Sequence, residues 1–277
     1  MLLSSNRPGG SVTGAPAAPQ HGDGGTRALT MRSMGTVLSI RFGGPAEPEL
    51  RADARGAVGG VFARWDARFS LYRDDSELSR INRGELRLTH ASPMLRECYA
   101  VALDWRDRTD GVFTPHRADG VLDLSGVVKA LAIDEAGEAL RGLGLIDWSI
   151  NAGGDILVAG GQAPGLDWVA GIVDPDDRGR SLAAVPLALP LRAVATSGSA
   201  ERGDHIWTSV FEGPSPYRQV TVFARDIVTA DVLATTILAG GEVALGRSTQ
   251  TWPVVEVLAV RRDGSLLATP GLRAGQT

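Results

Sequence analysis

The stretch from Asp123 to Asp155 constrains the fold of this chain more than any other, because it reads as a long apolar helix bounded by glycine-marked turns. Apolar residues at Val128, Leu131, Ala132, Ala136, Ala139, Leu140 and Leu143 recur at helical spacing and mark one stripe. The helix they predict ends at Gly142 or Gly144. Gly126 stands where the chain turns into it, and Lys129 is expected in its first turn, where the positive end of the backbone dipole disfavours a lone cation. A nearby anion reverses that penalty. Free N–H groups at a helix start, a permissive glycine and an ammonium describe a phosphate cradle, although the motif is not a Walker loop. Lys129 is the only lysine among 28 basic residues. The other local reading is a stem that covers an apolar neighbour while its head reaches water, and the pattern leaves both open.

A chain of 277 residues with 43% hydrophobic content can bury a sizeable core as one large or two modest domains. The net charge of −4 and the scattered arginines form no basic stripe, which argues against a nucleic-acid partner. A single cysteine, Cys98, excludes an internal disulfide framework and a cysteine-based metal site, and it falls on the apolar side of a helix pattern. Residues 1–27 read as a flexible tail rather than a signal peptide, 28–272 as the folded domain and 273–277 as a second tail. No stretch is expected to reach the length of a membrane span, and no early cysteine offers a lipid anchor, so the expected location is cytoplasmic.

In chain order, Val37–Phe42 alternates like a half-buried strand, and Leu50, Ala54, Ala57, Val58, Val61, Phe62 and Trp65 mark a core-facing helix with Pro48 near its start. Arg73–Asn82 reads as a turn and a short helix capped by serine or aspartate. Tyr72, just before it, could stack on a ring or sit in the core with its hydroxyl satisfied. Ser92-Pro93 caps a helix carrying Leu95, Cys98, Tyr99, Ala102 and Trp105, expected to stop near Asp110-Gly111. Ile156–Val158 and Trp168–Val173 are expected strands, Asp174–Gly179 a solvated turn, and 182–194 an edge strand or connector interrupted by Pro186 and Pro190. Of the four histidines, His205, just after a Gly/Ser-rich turn, is the one placed for chemistry. Val220–Phe223 reads as a strand, and Thr229 begins a helix ending at Gly240-Gly241. On that helix Asp231 and Thr235 are four apart and share a face. Two such oxygens suit a hard cation such as Mg²⁺, while the competing reading has Asp231 complementing the helix start and Thr235 bonding back to a carbonyl. Val254 to Ala268 reads as a closing hairpin.

Taken together and in this order, Met34-Gly-Thr36, Phe69-Ser-Leu-Tyr72, Ser76–Asn82, Asp110–Phe113, Asp123–Lys129, Asn151–Asp155, Ala195–Gly198, His205-Ile206 and Ala230–Thr235 resemble the FAD:protein FMN transferase (ApbE) family. The resemblance implies an α+β fold with mixed or antiparallel sheets flanked by helices, in two lobes with a nucleotide cleft between them. It also implies an enzyme that splits FAD, attaches the FMN half through a phosphoester to a threonine or serine of a target flavoprotein, and releases AMP. Carried over residue by residue, it implies that Met34, Tyr72, Val112, Phe113 and Thr114 line the flavin pocket and that Asp123, Lys129, Asp155 and Ala234 contact the dinucleotide. The Gly126 carbonyl, Asp231 and Thr235 would hold Mg²⁺ on the pyrophosphate, with His205 beside the reacting phosphate and with Asp231 counted among the catalytic groups. Three departures stand out: Thr114 where the family usually carries aspartate, Ala130 where glycine follows the lysine, and Thr208-Ser209 where an aspartate-proline pair follows the histidine. They keep open an FAD-binding protein without transferase activity, or a pyrophosphatase giving FMN and AMP.

Overall fold

Alternation along the strands decides which face of the main sheet is covered by helices and which is not. The structure, a computed structural model, describes residues 28–198 and 215–274. Strands β1 (Ala28–Ser33) and β2 (Thr36–Phe42) form a hairpin through Met34 and Gly35, at φ +49° and +70°. Two left-handed residues in a two-residue turn match the twist of the flanking strands, and Met34 carries the strain that glycine avoids. β1 was not foreseen as a strand. Next come β3 (Trp148–Ala152) and β4 (Asp155–Ala159), joined through Gly153-Gly154, then β5 (Trp168–Val173), β6 (Ser181–Leu187), β7 (Ala193–Gly198), β8 (Tyr217–Ala224), β9 (Glu256–Arg261) and β10 (Leu266–Ala268).

Eight strands form one sheet in the order β1-β2-β3-β4-β7-β8-β9-β10, with every described pairing antiparallel, and β5 and β6 form a separate antiparallel ribbon. The run 182–194, expected at an edge, thus supplies β6, which pairs only with β5. Leu38, Ile40, Trp148, Ile150, Leu157, Ala195, Val220 and Val222 point from the sheet into the main core. On the opposite face, Val158, Val194, Phe223 and Leu258 meet Trp168, Ala170, Ile172 and Leu187 of the ribbon in a smaller core. Asp174, in the turn between β5 and β6, is buried rather than solvated, because its carboxylate accepts from the Asp176 amide and pairs with Arg180. Those contacts hold it below the usual carboxylate range.

The helices are α1 (Pro48–Phe69), α2 (Glu77–Asn82), α3 (Pro93–Arg108), α4 (Ser125–Gly142), α5 (Ile227–Thr251) and α6 (Pro270–Ala274). Ser76 and Ser92 cap α2 and α3 by accepting from Ser79 and Leu95 amides, as their spacing predicts. α4 is packed by α1, α5 and the sheet together, so its buried residues, among them Val127, Ala130, Ile133 and Gly137, widen the expected stripe to most of the helix circumference. It begins at Ser125, which makes Lys129 its fifth residue, in the second turn rather than the first. α5 is two helical segments meeting at Gly241, whose φ of +61° and ψ of −146° are not helical, so the first segment stops at the expected Gly240-Gly241 and a second continues to Thr251. Across its kink it counts 25 residues and holds an 18-residue window long and apolar enough to cross a membrane, which the sequence was not expected to contain. With 72% of that apolar window buried inside the protein, α5 is accounted for as a core helix.

Candidate functional site

One end of the main sheet brings the Met34-Gly35 and Gly153-Gly154 turns together with several polar side chains. There the Gly153 amide donates to the Val37 carbonyl, which sets the β3–β4 turn beside the β1–β2 turn carrying Met34. Asp155 follows that turn directly as the first residue of β4, and the C-terminal end of β7 lies alongside it.

Two helices deliver their side chains to this end. The Val112–Thr114 connector touches both: a Cβ on Gly126, near the start of α4, would come within 2.6 Å of the Phe113 ring, and one on Gly240 of α5 within 3.0 Å of Val112. Farther along, partial desolvation and Glu138 push the Asp134 carboxyl of α4 upward, with a smaller contribution from Asp226, the N-cap of α5. The start of α4 thus lies by the middle of α5, and the middle of α4 by the start of α5. The two helices run antiparallel and bring Lys129 level with the turn that carries Asp231 and Thr235.

At that level the Lys129 ammonium pairs with the Asp155 carboxylate, which has no exposed surface. Asp155 Oδ1 also accepts from the Thr196 amide at 3.3 Å, and the Thr196 and Thr221 hydroxyls lie 2.9 Å apart. The next residue of β7, Ser197, faces the helices, and its hydroxyl is 3.1 Å from that of Thr235. Asp231, one turn earlier on the same face of α5, is 1% exposed. α4, β4, β7 and α5 are therefore linked into one polar constellation on the helix face, through the Lys129–Asp155 pair, the Thr196 amide and the Ser197–Thr235 contact. Asp155, Ser197 and nearby Asp231 are buried, Lys129 and Thr235 half-buried, and the Thr196 and Thr221 hydroxyls lie on the other face of the sheet.

The remaining expected site residues take varied places. Asn82 forms reciprocal hydrogen bonds with the backbone of Leu122, 2.9 and 2.8 Å, and thereby fixes Asp123 ahead of α4. Asp123 Oδ1 accepts from the Ser125 amide at 2.9 Å, so a carboxylate of this chain already occupies one donor of the expected phosphate cradle. Thr114 accepts from the His116 amide at 3.2 Å. Phe113 is buried with its ring on Gly126, and Ala234 is fully buried in the core, so neither side chain offers free surface. Tyr72 is the opposite: it is 101% exposed on the α1–α2 connector and joins neither the core nor the constellation. His205 lies outside the described residues.

Asp231 and Thr235 supply a carboxylate and a hydroxyl from one helix face, a hard-oxygen set suited to Mg²⁺. Among the described residues no group of three His, Cys, Asp or Glu side chains comes together. A cation here would therefore draw on few protein charges and complete its shell with phosphate and water, as Mg²⁺ does in nucleotide sites. Thr196 and Ser197 stand in the Ala195–Gly198 stretch that carries part of the resemblance but had no site role there, and Thr221 was not noted, since hydroxyls on neighbouring strands carry no spacing signal. A separate groove of about 680 Å³, lined by Arg141, Ile146, Ala159, Leu187, Leu189 and Arg192 among others, opens beside the far end of β4, away from Asp155.

A sequence profile of the ApbE family matches residues 34–121 and 116–258. A curated protein of Rhodobacter capsulatus named FAD:protein FMN transferase is 28% identical over 279 residues, covering 95% of this chain and 48% of that protein. The chain thus spans about half the length of the curated relative it matches. In three dimensions it resembles the flavin transferase ApbE of Vibrio cholerae, with TM-score 0.70, 22% identity and coverage of 89% of this chain and 98% of that one. The ApbE protein of Thermotoga maritima gives TM-score 0.71 and 19% identity over 90% and 99% of the two chains. An apo flavinyl transferase ApbE of Pseudomonas stutzeri gives 0.68 and 19% over 89% and 96%.

Proposed function

This chain belongs to the ApbE family, and from that premise we propose that it is a Mg²⁺-dependent transferase that moves FMN from FAD to a threonine or serine of a target flavoprotein. The observation that carries the proposal is the constellation at one sheet end, where the Lys129–Asp155 pair and the Ser197–Thr235 hydroxyl contact join four elements beside the buried Asp231. In the proposed reaction the acceptor oxygen bonds to the phosphorus of the FMN half. The pyrophosphate P–O bond breaks, its electron pair leaves with AMP, and the acceptor proton passes to a base, for which His205 is the candidate. Asp231, Thr235 and the Gly126 carbonyl would hold the cation, which neutralises charge on the phosphoryl oxygens when bound. Lys129, already paired with Asp155, would share its charge with the diphosphate, and the Asp155 pairing keeps the ammonium fixed in direction. Asp123 is bonded to the start of α4 and would orient that helix rather than carry charge to the phosphate.

The test is mass spectrometry of a flavin-accepting domain incubated with this chain, FAD and Mg²⁺. An FMN adduct on a threonine or serine, with an equimolar amount of AMP, is expected. No adduct under conditions in which an active family member modifies the same domain would refute the transferase reading. Thr114, where the resemblance leads one to expect aspartate, favours a second reading, a pyrophosphatase, whose signature is free FMN and AMP without an acceptor. In either case Asp231→Ala should remove Mg²⁺-dependent turnover at saturating FAD.

A further inference from the structure

Three threonine hydroxyls in or at the end of the described helices bond back to their own helix, and Thr229, in the first turn of α5, donates to the N-cap carboxylate of Asp226. Thr236 donates to Val232 O at 2.7 Å, Thr249 to Leu245 O at 3.1 Å and Thr109 to Trp105 O at 2.7 Å. That is the default for a helical threonine, because the carbonyl four residues earlier is always within reach. Thr235 differs. Its hydroxyl bonds across to Ser197 Oγ on β7, at 3.1 Å. Ser197 is 3% exposed and Thr235 half-buried, so the serine end of the contact is shielded from bulk water.

A hydroxyl has one proton and two lone pairs. When it ligates a cation through a lone pair, its proton must point away from the charge and find an acceptor elsewhere. We propose that Ser197 is that acceptor, a positioning residue that turns the Thr235 proton toward β7 and leaves a lone pair on the Asp231 side for a divalent cation. The inference rests on the cation reading of the proposed function. The strand is suited to the task, since Ser197 follows Ala193 and Ala195 on the inward face, and both of these are fully buried. Its hydroxyl is thus a polar atom set into an otherwise small-residue, apolar row, which gives it one direction to point. Outer-shell groups of this kind tune metal affinity by about ten- to a hundred-fold.

The experiment titrates Mn²⁺, a paramagnetic substitute for Mg²⁺, into the full chain with ADP present and follows the signal of free Mn²⁺. Ser197→Ala, which repeats the strand's own alanine pattern, is expected to weaken Mn²⁺ binding about ten-fold. Ser197→Thr, which restores the hydroxyl, should return most of it. Ser197→Ala added to Thr235→Val should have no further effect, because the serine is held to act only through the threonine. Should Ser197→Ala lose the fold by circular dichroism, Ser197→Cys, close in volume with a poor acceptor, is the second variant and should weaken binding in the same direction. Unchanged Mn²⁺ affinity in the folded serine variants, alongside weakened affinity in Thr235→Val, overturns the role of Ser197 and leaves the cation site standing. Unchanged affinity in Asp231→Asn removes the cation site itself, and this inference with it.

Discussion

Lys129 and Asp155 show how much of a site a single residue pair can hold in place. Asp155 has no exposed surface and its partner's side chain is 19% exposed, so the charge of the aspartate is compensated chiefly from within the protein. Deleting one member of such a pair costs more than deleting both, because the survivor keeps its desolvation penalty. Lys129→Met is therefore expected to lower stability by about 3–5 kcal/mol, and adding Asp155→Asn to recover part of that loss. Urea denaturation of the two variants measures both; a double variant less stable than the single one would contradict the account. Cys98 tests burial at the same scale. Burial pushes its thiol up to about 12, far above the pH at which thiol reagents are used, so the reactive thiolate is scarce in the folded state. A disulfide reagent at pH 8 should leave the folded chain unlabelled and label one thiol per chain in denaturant. Lys129, Asp231 and Thr235 could be found in the sequence, one as the only lysine and two by helical spacing. Ser197 stood out only as part of the Ala195–Gly198 stretch, without a role, because its contact joins a strand and a helix that only the fold brings together.

Elements were legible where local chemistry marks their ends and obscure where packing decides. Ser92-Pro93 announced α3 and Ser76 announced α2, while β1, with apolar Leu29 and Met31 as its only alternating pair, gave little signal and is defined by its pairing with β2. The width of the buried surface on α4 was equally hidden, since it depends on neighbours on three sides. Gly137 records that crowding: a Cβ there would come within 2.7 Å of the Trp148 ring and 3.2 Å of Leu157. Gly137→Ala gains helix propensity of about 1 kcal/mol but overpacks the contact by about 1–3 kcal/mol, so a net loss in thermal stability is expected. Glu77 staples three elements, accepting from Arg68 of α1 at 3.0 Å and from the Ser92 amide at the start of α3 at 2.8 Å. Burial alone would raise its carboxyl, but those donors outweigh it and the group lies below the usual range. A depressed folded value means that the stabilisation is fully present above the unfolded pKa of about 4.3 and is lost as pH falls through the lower folded value. Glu77→Gln should thus cost about 1–2 kcal/mol at pH 7, with the gap from wild type closing in acid. A gap that persisted below the folded pKa would mean that shape, not charge, is what Glu77 contributes.

At the scale of the whole molecule, the two cores are unequal and should open separately. The main core draws on the helices and the inner face of eight strands, whereas the ribbon β5–β6 rests on the outer face through a handful of side chains. Its own outward residues Val169 and Val173 are about half exposed, at 51% and 48%. What fastens the ribbon is local: Trp168 donates to Ala159 O at 3.0 Å, Gln219 of β8 donates to Val173 O at 3.1 Å, and Arg218 pairs with Asp176. A unit held by one small cluster and a few bonds opens at lower free energy than the sheet beneath it. Hydrogen exchange should therefore show the amides of 168–187 losing protection at lower denaturant than those of β2, β3 and β4. Trp168→Ala, which removes the largest side chain of the small core, should cost about 3–5 kcal/mol in that opening. The same variant should leave the protection of β2 and β3 nearly unchanged, because neither strand contributes to the small core. If the ribbon and the main sheet instead lost protection together in both proteins, the molecule would be a single cooperative unit, and the ribbon's bonds to β8 would couple it to the strand ends that carry Ser197.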